Sequence, residues 1–198
     1  MSDFEELWIE NNYLMCFFNM ILNNMFDIFL VKKRSFFFYL NIFFYLFLFS
    51  ILNSNLVITI NTIIDIVATH YPDNEKKEFE SLYVNLNYKL NFRFFFKNLI
   101  NKEDLIFSIS KLFKSAEWLE REIWDLFGIK FIFHKDLRRI LTDYGFLGHP
   151  LLKQFPLIGF IELRYDDSIF NIIKEAVEMS QMYRFLRFLN PWGIRKLN

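Results

Sequence analysis

The residue pattern predicts an α+β protein: a mixed sheet packed with helices, followed by an extended, irregular C-terminal arm. Three observations carry this. Runs rich in Phe, Ile, Val and Tyr recur between Asn-rich breaks over residues 36–96. Residues 116–127 separate apolar from charged side chains at helical spacing. Residues 134–159 hold three glycines and two prolines among mixed charges, too densely for ordinary helix and strand alternation. The resulting division is an N-terminal extension, 1–34, an α+β domain, 35–133, and an arm, 134–198.

Composition excludes more than it suggests. The chain has 198 residues, enough to bury one core, and 23 basic side chains balance 23 acidic ones. No basic footprint points to nucleic acid. Cys16 is the only cysteine, which excludes an intrachain disulfide and a cluster held by four thiolates of this chain. The 28 phenylalanines, alongside abundant Ile, Asn, Tyr and Lys, reflect an AT-rich genome rather than an aromatic binding surface. The acidic start, with Asp3, Glu5 and Glu6, lacks the arginine-rich pattern of a transit peptide.

Residues 1–34 are irregular, and a short helix is expected within them. Residues 36–52 are apolar apart from Asn41 and Ser50, following Lys32, Lys33 and Arg34. Two readings compete here. A membrane anchor would need about 20 helical residues to cross roughly 30 Å of hydrocarbon, whereas 17 residues rise only about 25 Å before Asn53, Ser54 and Asn55. A buried strand over 36–40 and a core helix over 42–52 fit better; the anchored membrane protein is the alternative. Residues 56–66 read as a strand or a helix-strand junction, and Pro72 marks a turn at 70–74. Strands at 79–86 and 90–96 form a hairpin turning near Asn87, Tyr88 and Lys89. A helix is expected over 103–113, with Leu105, Ile106, Ile109, Leu112 and Phe113 facing the sheet.

The helix at 116–127 has Ser115 placed to cap it, Glu117 at the positive end of its dipole, and Gly128 placed to end it. Leu119, Ile123, Leu126 and Phe127 form its apolar face. Arg121, Glu122 and Asp125 gather on another face, where Arg121 and Asp125 can pair at i, i+4 and which is offered to something else. Beyond the arm, 160–165 reads as a strand, 166–168 as a turn and 172–188 as helical, ending on Pro191 and Trp192.

No catalytic kit is recognisable. Glu120 and Glu122 point about 200° apart on a helix and cannot converge on one bond. His134 and His149 have no second ligand at helical metal spacing, and no phosphate loop, dinucleotide fingerprint or nucleophile elbow occurs. A free-standing enzyme would have to rely on His149 and Asp143. The compact charges Asp136, Arg138, Arg139 and Asp143, held between rigid turns, instead suit pairing with another chain.

Glu120-Arg121-Glu122-Ile123-Trp124-Asp125-Leu126-Phe127-Gly128, then His134, then Asp136-Leu137-Arg138-Arg139-Ile140-Leu141, resembles the signature of the 30 kDa subunit of respiratory complex I, NADH:ubiquinone oxidoreductase. Thr142-Asp143-Tyr144-Gly145-Phe146, Gly148-His149-Pro150-Leu151, Lys153 and Phe155-Pro156 continue it. It also reaches back to His70-Tyr71-Pro72-Asp73-Asn74 and forward to Arg164-Tyr165 and Pro191-Trp192. Lys135, Leu152, Gln154 and Ala176 depart from the family, which usually has proline, arginine, aspartate and proline there.

The resemblance implies a subunit in the quinone module of the complex's peripheral arm, which passes electrons from NADH to ubiquinone while pumping protons. Such a subunit braces the 49 kDa subunit and supports assembly. It holds no flavin, cluster or quinone; FMN and iron–sulfur clusters belong to partner subunits. It implies a peripheral position on the matrix side of the mitochondrial inner membrane. The partner interface is expected at Arg121, Glu122 and Asp125 on the helix, at His134, Asp136, Arg138, Arg139, Asp143, Tyr144, His149, Lys153 and Phe155 on the arm, and at Trp192.

Overall fold

A computed structural model describes residues 26–32, 35–40, 45–55, 59–74, 77–178 and 184. The chain divides into two compact units, 1–155 and 156–198, so residues 134–155 belong to the first. Trp192 and residues 1–25 lie outside the described residues.

The first unit is built on a five-stranded mixed sheet, which bears out the α+β expectation. Its strands are β1 (Phe26–Lys32), β2 (Ser35–Leu40), β3 (Thr62–His70), β4 (Phe79–Asn87) and β5 (Phe92–Ile100), in the order β1-β2-β5-β4-β3. β2 runs parallel to β5, and every other pair is antiparallel. Where a helix was expected within 1–34, the described part, 26–32, is strand β1.

Helix α1 (Tyr45–Ser54) joins β2 to β3. Its buried residues Tyr45, Leu48, Phe49 and Leu52 recur at i, i+3, i+4 and i+7, the spacing of one helical face. Phe49 meets Phe96 edge-on at 5.2 Å between ring centres, and Tyr45 stacks on Tyr83 at 5.8 Å. Phe38, Phe94 and Phe96 complete this face of the core. The described parts of the apolar run are therefore a strand and a ten-residue helix. Among the described residues no helix is long and apolar enough to cross a membrane.

The β4–β5 hairpin turns where expected, because Asn87 accepts from Leu90 N–H and Asn61 from Tyr88 N–H, at 3.0 Å each. The helix expected at 103–113 does not form. Strand β6 (Ile106–Phe107) pairs in parallel with β7 (Phe131–Ile132), and Ser108 N–H donates to Ile132 carbonyl. A single turn follows, with Leu112 and Phe113 N–H both donating to Ile109 carbonyl. Apolar positions three and four apart suit one turn as well as a full helix, and long-range backbone pairing decides between them.

Helix α2 (Ala116–Phe127) has the expected limits. Gly128 ends it at φ +80°, with its N–H on Trp124 carbonyl. Ser115 does not cap it: its hydroxyl instead donates to Ile63 carbonyl at 3.2 Å, tying the helix start to β3.

The second unit contains a hairpin of β8 (Ile161–Asp166) and β9 (Asn171–Ala176). The helix expected from residue 172 is thus a strand over its first residues. β-branched Ile172 and Ile173 suit that conformation, and Arg164 reaches across to Glu175 at 2.8 Å.

Candidate functional site

The polar face of α2 is turned inward. Arg121 and Asp125 are buried, and of the three side chains expected on an outward face only Glu122 is exposed. Arg121 and Asp125 do not pair with each other either. Arg121 bonds Glu117 at 2.7 Å, lies 3.6 Å from Asp136, and carries its guanidinium over the ring of Trp118.

Asp125 is the peg on which the arm hangs. One carboxylate oxygen accepts from the N–H groups of Ile140, Leu141 and Thr142 at 3.2, 2.7 and 2.9 Å. The other accepts from the Thr142 hydroxyl at 2.7 Å and lies 3.7 Å from Arg139 Nε. Burial opposes the charge on this carboxyl, yet the Thr142 hydroxyl and three amides outweigh it and hold the pKa below the ordinary aspartate value.

Arg139 then fastens the next turn. Its guanidinium donates to Phe146 carbonyl at 2.9 Å and Gly148 carbonyl at 2.6 Å. His149 Nδ1 donates to Asp125 carbonyl at 2.9 Å, and Leu151 N–H donates to Leu126 carbonyl at 3.1 Å, so the chain returns to the end of α2. Gly128 permits this return: a Cβ there would stand 2.7 Å from the His149 ring. Gly148, at φ +97°, leaves equally little room beside Phe155, whose ring packs against Phe146 at 5.7 Å.

The two ends of the arm are held by imidazoles. His134 Nδ1 accepts Asp136 N–H at 3.2 Å, which places its proton on Nε2, where it donates to Glu117 carbonyl at 3.1 Å. His70 Nδ1 accepts Lys153 N–H at 3.1 Å, and the Lys153 ammonium sits over Tyr71. His149 and Asp143 are both engaged locally, the latter by Tyr144 N–H at 2.8 Å. Among the described residues no three His, Cys, Asp or Glu side chains converge as a metal site requires.

The residues grouped from sequence therefore part company. Asp125, Arg139, His134 and His149 hold the arm in shape. Arg138, 67 % exposed along its side chain and paired with the half-exposed Asp136 at 3.2 Å, faces outward. Beside it the arm presents Leu141, Tyr144, Leu147 and Leu151, of which Tyr144 is 96 % exposed and Leu147 72 %. Sequence reading missed these leucines, Thr142 and the buried Glu120. For the leucines and Thr142 the one available signal was their place inside a turn-rich stretch, where an exposed leucine has no periodicity to betray it.

The site is thus a small α+β domain whose helix polar face clamps an arm, and whose arm then exposes large apolar side chains. The comparisons identify its kind. The profile described as "Respiratory-chain NADH dehydrogenase, 30 Kd subunit" matches residues 46–160. The chain is 43 % identical over 158 residues to "NADH dehydrogenase [ubiquinone] iron-sulfur protein 3" of Oryza sativa subsp. japonica, covering 80 % of this chain and 83 % of that one. It is 42 % identical over 145 residues to "NADH-ubiquinone oxidoreductase subunit 9" of Reclinomonas americana, covering 73 % and 71 %. A solved chain of an archaeal respiratory membrane complex, the membrane-bound sulfane sulfur reductase, shares the fold at TM-score 0.65 and 19 % identity, over 75 % of this chain and 87 % of that one. The chain belongs to the 30 kDa subunit family of respiratory-chain NADH dehydrogenase, complex I.

Proposed function

We propose that this chain is a quinone-module core subunit in the peripheral arm of the mitochondrial, proton-pumping NADH:ubiquinone oxidoreductase. There it supports assembly and braces the 49 kDa subunit, on the matrix side of the inner membrane and peripheral to it. It carries no redox centre: FMN and the iron–sulfur clusters reside in partner subunits, and the isolated chain has no NADH dehydrogenase activity. The observation that carries this reading is the clamped arm with its outward row of Leu141, Tyr144, Leu147 and Leu151 beside Arg138. Clamping removes the ordering cost of docking, and large apolar side chains left exposed along one ordered segment mark a partner surface.

The test is native-gel separation of mildly solubilised mitochondrial membranes. The chain should migrate with NADH dehydrogenase activity and leave that position when Leu147 and Leu151 are both replaced by aspartate. Migration of the unaltered chain in a small species without that activity would refute the assignment.

A further inference from the structure

A buried carboxyl takes no part in clamping the arm at Asp125. Glu120 projects from α2 into the core and is fully buried. Its Oε1 accepts Ile109 N–H at 2.8 Å, and its Oε2 faces the Ser108 hydroxyl at 2.5 Å. Ser108 in turn faces the hydroxyl of half-buried Ser110 at 2.6 Å. Carboxyl, hydroxyl and hydroxyl thus form a continuous chain from the interior toward the surface.

We infer that Glu120, Ser108 and Ser110 form a proton-binding site inside the domain, one that gains and loses a proton without moving its heavy atoms. With Glu120 ionised, the Ser110 hydroxyl donates to Ser108 and the Ser108 hydroxyl donates to Oε2. Ser108 also accepts Ser110 N–H at 3.2 Å, so its oxygen is fully used. Uptake of one proton from water at Ser110 shifts each hydroxyl proton one step inward. Oε2–H then donates to Ser108, Ser108 donates to Ser110, and the Ser110 proton points to solvent. One proton enters, one O–H bond forms on the carboxyl, and every partner remains satisfied in both states.

The groups facing Glu120 set where it titrates. From α1 and β4 come the phenols of Tyr45 and Tyr83, both buried: Tyr45 is pushed upward by burial first and then by Tyr83 and Glu120, and Tyr83 by burial first and then by Glu120. From the base of the arm comes His134, whose Nε2 lies 3.8 Å from Oε2, beyond hydrogen-bond range. On α2 itself Arg121 is committed to Glu117 and Asp136, and on the loop Lys111 lies over the Phe133 ring. Among the described residues no cation is bonded to the carboxylate, and burial prevails over the Ser108 and Ile109 hydrogen bonds and raises its pKa to about 7.

Infrared difference spectra of the full chain between acid and alkaline pH test this. The protonated-carboxyl band that Glu120→Gln removes should fade with a midpoint near 7. Ser108→Ala, which keeps the carboxyl but removes the donor to its charged form, should move that midpoint upward. A Glu120 band fading in the ordinary carboxylate range, or a midpoint that Ser108→Ala leaves in place, would overturn the inference. Neither outcome depends on the chain's assignment to complex I.

Discussion

The α2–arm junction and the β8–β9 hairpin both carry charged side chains but use them differently. At the junction Asp125 is buried and its carboxylate is bound by three backbone amides and a hydroxyl. In the hairpin Arg164 bridges Glu175 at 2.8 Å and Asp166 at 3.7 Å, with its side chain 54 % exposed. A buried carboxylate holding backbone donors dictates chain path, because losing it strands those donors. An exposed ion pair dictates little, since water replaces either partner. The same residue types thus make a hinge-pin in one place and a solvated face in the other.

Asp125→Ala breaks the comparison hardest. It should cost about 3–5 kcal/mol through the stranded donors, and hydrogen exchange should show the amides of Ile140, Leu141 and Thr142 exposed while those of β4 and β5 stay protected. Next comes the pH dependence of stability. Glu120 has its folded pKa raised from 4.5 to about 7, so the folded state binds the extra proton between those values. Stability should therefore fall by up to about 3 kcal/mol as pH rises across that window and level off above it. Glu120→Gln should flatten the slope in denaturant titrations. Asp125 acts in the opposite sense: its folded pKa is lowered from 3.8, so its contribution is intact above that value and lost as pH falls through the folded pKa.

A smaller loss is expected from Gly128→Ala. A left-handed backbone and a Cβ 2.7 Å from the His149 ring together should cost about 2 kcal/mol, seen as a lowered Tm. The smallest effects sharpen the contrast. Arg138→Ala should leave the melting curve unchanged, as should Arg164→Ala, while Arg139→Ala should loosen residues 146–148 in hydrogen exchange.

Much of the fold was legible because its signals are local. Helix α2 announces itself through Glu117 and Gly128, and the β4–β5 hairpin through Asn87. What was not legible depended on partners distant in sequence. Residues 103–113 have a helical spacing of apolar groups, but β6 finds β7 some 25 positions on, and Glu120 then binds Ser108 and Ile109. Ser115 looks like a cap, yet Ile63, on β3, takes its hydroxyl. The site was half legible for the same reason. Motif reading singled out Arg138 and Arg139 as a pair, and nothing in two adjacent arginines tells which one turns inward to Phe146 and Gly148 carbonyls and which faces outward.

If α2 shapes the arm for a partner, loss of the Asp125 clamp should cost assembly before it alters the chemistry of the complex. The most direct test is to measure, in mitochondria carrying Asp125→Ala, both the amount of assembled NADH dehydrogenase on native gels and the ubiquinone KM of whatever complex remains. The expected result is less assembled complex with an unchanged KM. A normal amount of complex with a raised KM would contradict it.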